Sequence, residues 1–199
     1  MRRNLITSVL YTAITTVLLG VLYPLLMTGL AQALFHDEAN GQLISKQGVI
    51  VGSRIIGQAF TGASYFHGRP SAAGTNGYDP TSSGGSNYAA TSKKYVDRVA
   101  GDVAGLQADN PGAQVPIDLV TASGSGLDPD LTPSGAAFQI PRIAKARGIP
   151  EGKLKDLVAR HTSSRQFGFL GEPRVNVLEL NLDLDSSTTI SSVQTKTQQ

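Results

Sequence analysis

Asn4-Leu-Ile-Thr-Ser-Val-Leu-Tyr-Thr-Ala-Ile-Thr-Thr-Val-Leu-Leu-Gly-Val-Leu-Tyr-Pro-Leu-Leu-Met-Thr-Gly-Leu-Ala-Gln-Ala-Leu-Phe35 carries no charged residue and follows Arg2 and Arg3. About 20 predominantly apolar residues suffice to cross the hydrocarbon core of a bilayer. The run is therefore long enough to span, and residues 1–35 read as a transmembrane anchor. A cleaved signal peptide is the rival reading, with Ala31-Gln32-Ala33 as its small-x-small site. The stretch is far longer than the roughly 7–15 residues of a signal h-region, which favours a retained anchor. The basic pair predicts a cytoplasmic N-terminus, so the remainder is expected outside. Ala13, Thr16, Gly20, Pro24, Thr28 and Ala31 recur every three or four residues. That stripe of small side chains is a candidate contact for a partner helix. Pro24 should kink the helix or end one segment of it.

The rest of the chain leaves room for one domain with its own core. Arg2 and Arg3 account for the whole formal charge of +2, so the part after the anchor is formally neutral. A nucleic-acid footprint would need Lys and Arg clustered on one face, and none is visible. There is no cysteine, which excludes disulfides, thiolate catalysis and cysteine-based metal sites.

Residues 36–47 read as a juxtamembrane linker. Gly48 to Gly57 holds two β-branched runs around Gly52-Ser53, the pattern of a hairpin. From Ala63 to Ser92 Gly, Ser, Asn, Pro and Tyr dominate without a period, yet Tyr65, Phe66, Tyr78 and Tyr88 favour an ordered loop. Val96, Val99, Val103 and Leu106 then predict a helix that Asn110-Pro111-Gly112 ends. Val115 to Thr121 reads as a strand. Thr132-Pro133 opens a helix, Pro141 a second closed by Gly148, and Ile149-Pro150 a third. Leu178, Leu180, Leu182 and Leu184 alternate with polar residues, so Val175 to Asp185 reads as a strand with one wet face. The expected architecture is a single N-terminal transmembrane helix plus a C-terminal extracytoplasmic α+β domain, residues 48–185. A disordered polar tail is expected over 186–199.

The residues offer little independent chemistry. No Gly-rich string is followed by Lys and Ser/Thr as a phosphate loop requires. Gly124-Ser125-Gly126 is preceded by Ser123, where a nucleophile elbow needs Gly. Asp128 and Asp130 lack calcium-loop spacing and shape a turn before a helix more naturally than they bind a metal. Arg69 reads equally as an anion contact or as a donor to loop carbonyls. This plan fits an accessory subunit better than an independent enzyme.

Two loops carry a resemblance. Tyr65-Phe66-His67-Gly68-Arg69-Pro70-Ser71-Ala72, Tyr78-Asp79-Pro80, Ser83-Gly84-Gly85-Ser86-Asn87 and the run Asp118 to Leu131, with Ser123, Gly124, Ser125, Asp128, Pro129 and Asp130, resemble the KdpC family of the Kdp potassium-transporting P-type ATPase. Gln139-Ile140-Pro141-Arg142 and Val175 to Asn181 extend the match. The resemblance implies a non-catalytic accessory subunit of the inner membrane. Its implied partners are a channel-like potassium-translocating subunit, an ATP-hydrolysing P-type subunit and a small membrane peptide. ATP and Mg would act at the pump subunit, with potassium as the transported ion and no cofactor on this chain. It also implies a chaperone role in ATP binding, for which Ser83, Gly84, Gly85, Ser86 and Asn87 are the nucleotide candidates. Asp79, Asp128 and Asp130 are candidates for steering potassium by charge. The alternative is a membrane-anchored external module that binds a small ligand.

Overall fold

In the computed structural model, which describes residues 1–196, the apolar run is helical from Arg2 to Leu34. At about 1.5 Å per residue, its 33 residues extend about 50 Å, enough to cross a bilayer with length to spare. Near Pro24 one α-helical segment gives way to the next within the continuous run. Helix α1 (Arg2–Val17) passes through a π turn (Leu18–Leu22) into α2 (Tyr23–Leu34). Proline has no N–H for the carbonyl four residues back, and its ring crowds that carbonyl. The wider turn just before Pro24 accommodates both demands. Thr7, Ser8 and Thr15 return their hydroxyls to backbone carbonyls of the preceding turn, at 2.8 to 2.9 Å.

Two compact units divide the chain, Met1–Val51 and Gly52 onward. Within the first, a short helix α3 (His36–Ala39) follows α2, and Gln32 and Asn40 exchange carboxamide hydrogen bonds at 3.1 and 3.3 Å. The expected hairpin exists with a different turn. Strands β1 (Leu43–Lys46) and β2 (Val49–Ser53) are joined by Gln47-Gly48, both at positive φ. A two-residue turn of that kind matches the twist of paired strands, whereas the Gly52-Ser53 turn read from sequence lies at the end of β2.

The second unit packs helices against a three-stranded antiparallel sheet in the order β3-β5-β4. Its elements are α4 (Lys93–Asp109), β3 (Asp130–Leu131), α5 (Pro133–Arg147), α6 (Glu151–Arg160), β4 (Thr162–Ser163), β5 (Arg174–Asn176) and α7 (Val177–Lys196). Thr132 caps α5 by accepting the Gly135 N–H at 3.0 Å, and Gly148 closes it at φ +65°. Pro141 does not split this helix. Ile140 and Ile143, buried on either side of the proline, tie both halves to one core. The segment read as a strand at Val115 to Thr121 is instead a 3₁₀ turn (Ile117–Leu119) after Pro116. That turn buries Asp118, whose carboxylate accepts the Thr132 N–H and hydroxyl at 2.8 and 2.9 Å.

The closing strand is corrected most. Only Arg174–Asn176 is strand; the leucine-rich remainder is helix. Val177, Leu180, Asn181 and Leu184 are buried at the spacing i, i+3, i+4, i+7, one helical face. The apparent alternation counted Asn181 as outward-facing, but it is 1 % exposed. Helix α7 runs on into the stretch expected as a tail, and residues 197–199 of that tail lie outside the described residues.

Candidate functional site

The loop from Ala63 to Arg69 has no ladder partner, yet its carbonyls are taken one after another by side chains. Arg142 Nη1 donates to Ala63 O at 2.5 Å and Nη2 to Tyr65 O at 3.1 Å. Arg147 Nε donates to Ser64 O at 2.6 Å. Asn181 holds Phe66 by both backbone groups, accepting its N–H and donating to its carbonyl, each at 2.9 Å. Gln139 does the same for His67, at 2.8 and 3.0 Å. The Tyr78 hydroxyl donates to Arg69 O at 2.6 Å. Two carboxamides from α5 and α7 thus imitate the pairing a neighbouring strand would give, and Phe66 is pressed into the core with no exposed surface. Buried backbone groups need partners, and here helices supply them through side chains.

This first loop is then stitched to the second. Arg69 Nη1 meets Asp128 Oδ2 at 2.9 Å. Ser71 Oγ donates to Gly126 O at 2.5 Å and accepts the N–H groups of Ala73 and Tyr78. Gly126 sits at φ +68°, and a Cβ there would stand 2.6 Å from Gly84 O and 2.7 Å from Ala73 N. Glycine alone permits both the backbone angle and the approach. Asp128 Oδ1 accepts the Asp130 N–H at 3.0 Å, and Val177 N–H reaches Pro129 O at 2.9 Å. Ser123 is buried, and Gly124 forms the wall against which Gly85 packs.

The nucleotide candidates are drawn into the same contact. Gly84 N–H and the Ser83 hydroxyl both donate to Ser125 O, at 2.8 and 2.9 Å. Asn87 adopts positive φ, and Ser86 lies beside it in the same irregular stretch. The potassium-steering candidates do not form one bare acidic face. Asp128 is paired with Arg69, and Asp130 with Arg174 at 3.0 Å. Asp79 turns its carboxylate onto Thr81, accepting its N–H and hydroxyl at 2.9 and 2.7 Å. Those bonds hold the Asp79 pKa below the ordinary carboxylate value. Burial raises that of Asp130. Among the described residues, no group of three or more His, Cys, Asp or Glu is placed to hold a metal. In the apolar N-terminal helix, Gly20 opens onto free space beyond the Thr16 methyl at 3.9 Å. Ala13 and Thr28 are exposed, and Ala31 is half-buried.

An open cleft of about 660 Å³ lies beside the first loop, lined by His67, Arg69, Tyr78, Asp102, Asp109 and Arg142 among others. Its charged groups are spoken for within the fold. Arg142 lies 3.5 Å from Asp109, and Asp102 pairs with Arg98. Burial pushes the Tyr78 phenol up to about 12, and the Asp128 charge adds to it, so Tyr78 remains a donor. Burial lowers the pKa of His67, and the Arg142 charge lowers it further.

Sequence reading names Arg69, Gln139 and Arg142 as candidates; Asn181 enters it only within the family match and the alternating stretch, and Arg147 and Asp185 are not among its candidates. Arg147 reaches Asp185 Oδ1 at 2.8 Å and lies over the Tyr65 ring at 4.7 Å. The signal for Asn181 was a lone carboxamide at helical spacing among leucines.

The family model described as KdpC, K+-transporting ATPase, c chain, matches residues 5–186. A potassium-transporting ATPase KdpC subunit of Koribacter versatilis is 63% identical over 187 residues, 94% of this chain and 96% of that protein. That of Acidobacterium capsulatum is 58% identical, over 92% of this chain and 97% of that protein. That of Gemmatimonas aurantiaca is 52% identical over 98% of both. With its anchor-like helix and both stitched loops inside the matched span, the chain belongs to the KdpC family.

Proposed function

We propose that this chain is a non-catalytic accessory subunit of an ATP-driven potassium-uptake complex. In this reading, the helix Arg2–Leu34 holds it in the cell membrane with its N-terminus in the cytoplasm. The folded unit from Gly52 onward works on the outer side, where it assembles and stabilises the potassium-translocating and ATP-hydrolysing subunits. The carrying observation is the family match across residues 5–186, together with relatives named as subunits of a potassium-transporting ATPase. The basic pair before the apolar helix supports the orientation.

ATP and magnesium belong in this scheme to the pump subunit, and potassium is cargo. An effect on nucleotide affinity would act through assembly rather than through Ser83–Asn87. The hydroxyl of Ser83 and the N–H of Gly84 already serve Ser125, and an outer location separates them from cytoplasmic ATP. Pairing of Asp128 and Asp130 with arginines favours a structural role for these acids over steering.

The test is to delete the chain from cells that depend on high-affinity uptake and to restore it in tagged form. The proposal expects growth at limiting potassium to return, and two large membrane subunits to co-purify with the tag. Restored growth without co-purification, or purification of the chain alone from active membranes, overturns it.

A further inference from the structure

The chain holds two Asn-Gly pairs, Asn40-Gly41 and Asn76-Gly77. Both asparagines are exposed. A glycine has no Cβ to shield its backbone nitrogen, so the preceding asparagine side chain can reach it. Hydrogen bonding separates the two pairs. Asn40 and Gln32 exchange carboxamide bonds at 3.1 and 3.3 Å, and Asn40 also donates to His36 O at 2.6 Å. The Gly41 N–H donates to Glu38 O at 3.2 Å. Among the described residues, neither the Asn76 carboxamide nor the Gly77 N–H has a hydrogen-bond partner. This second pair sits at the apex of a loop pinned at its base. There the Tyr78 N–H donates to Ser71 Oγ at 2.7 Å, and the Asp79 N–H to Ala73 O at 3.2 Å.

We propose that Asn76-Gly77 is a site of spontaneous deamidation, and that its isoaspartyl product loosens the loop from Ser71 to Asp79. The Gly77 nitrogen gives up its proton and attacks Asn76 Cγ. The N–Cγ bond forms, the Cγ–Nδ2 bond breaks, and Nδ2 takes up a proton and leaves as ammonia. Water then opens the cyclic imide at either carbonyl, giving aspartate or isoaspartate. The sum is one water consumed and one ammonia released, with no oxidant, cofactor or enzyme. At Asn40-Gly41 the same attack first requires the bonds to Gln32, His36 and Glu38 to open. Isoaspartate routes the main chain through the side-chain carbon. It thus adds one atom to the span that Ser71 and Ala73 close, and the bonds to Tyr78 and Asp79 no longer fit. The Tyr78 hydroxyl holds Arg69 O at 2.6 Å, so the change is passed to the braced loop. Asn76 lines the same cleft as Arg69 and Arg142, and either product brings a new carboxylate to it.

The test is to incubate the full-length chain in detergent at mildly alkaline pH, folded and in denaturant, and to follow both sites by peptide mass spectrometry. In the folded chain Asn76 should convert at least about tenfold faster than Asn40, with aspartate and isoaspartate both present. In denaturant the two rates should converge. Equal rates in the folded chain, or the same preference persisting in denaturant, would overturn the assignment. In the isoaspartyl fraction the Tyr78 amide should exchange its hydrogen faster than in the unmodified chain. Asn76→Asp adds the charge without the extra main-chain atom and should leave that exchange unchanged. Unaltered exchange in the isoaspartyl fraction, or equal acceleration in Asn76→Asp, would overturn the loosening.

Discussion

Two irregular segments of the folded unit invite opposite readings. The loop from Ala63 to Ser71 is rich in the residues that mark ligand sites, yet its backbone is held by Arg142, Arg147, Asn181, Gln139 and Tyr78. The tip at Phe167 to Leu170 has an ordinary hairpin sequence, yet it presents its aromatics to solvent. A loop can look functional because it is elaborate, when its polar groups are consumed in holding its own shape.

The contrast breaks most severely at Asn181. Replacing it by Leu keeps the volume but strands the Phe66 N–H and carbonyl inside the core. Each unpaired buried group costs about 1–3 kcal/mol, so a loss of roughly 3 kcal/mol is expected in denaturant unfolding. Gln139→Leu should fall in the same range, because it abandons His67 in the same way. Unchanged stability in both would mean that the loop is not carried by the helices.

Arg142→Lys is a milder test. Lysine keeps one charge but cannot reach Ala63 O and Tyr65 O with one planar fork. A loss of about 1–2 kcal/mol is expected, and full retention would show that the fork geometry is dispensable.

Much of this was legible in the sequence, and the failures share a cause. The apolar N-terminal helix, α4, the Thr132 cap and α6 follow from local patterns, which burial of Leu154, Leu157 and Val158 reinforces in α6. The closing segment failed because Asn181 looks like a surface residue, and its inward position is set by Phe66, over a hundred residues earlier. The Pro141 break failed for a similar reason, since the core on both sides of the proline outweighs the lost backbone bond. For the candidate site, the family strings name two loops that the structure brings together. Only tertiary contacts reveal that Arg69 pairs with Asp128 and that Ser83 and Gly84 serve Ser125.

A pH titration sharpens the comparison on the loop side. Folding lowers the His67 pKa from its ordinary value of 6.5, so the unfolded chain binds the proton more readily than the folded one. Stability should be full above that value and decline as pH falls through it, levelling off below the folded pKa. His67→Gln should flatten this part of the profile, and an unaltered slope would place the pH dependence elsewhere.

The smallest effect on stability is expected at the tip. Phe167→Ser with Phe169→Ser should leave unfolding of the chain unchanged within about 0.5 kcal/mol, because the side chains lie outside the core. A large loss would show that the tip packs within the chain.

The central claim is that the elaborate loop is scaffold braced by the fold's own side chains rather than an open ligand site. Hydrogen exchange of the full-length protein, resolved at the Phe66 and His67 amides, tests it most directly. If Asn181 and Gln139 hold these groups as a neighbouring strand would, both amides exchange only with global unfolding, as slowly as the core of α5. Exchange as fast as in an open loop, under conditions where α5 remains protected, would contradict the account.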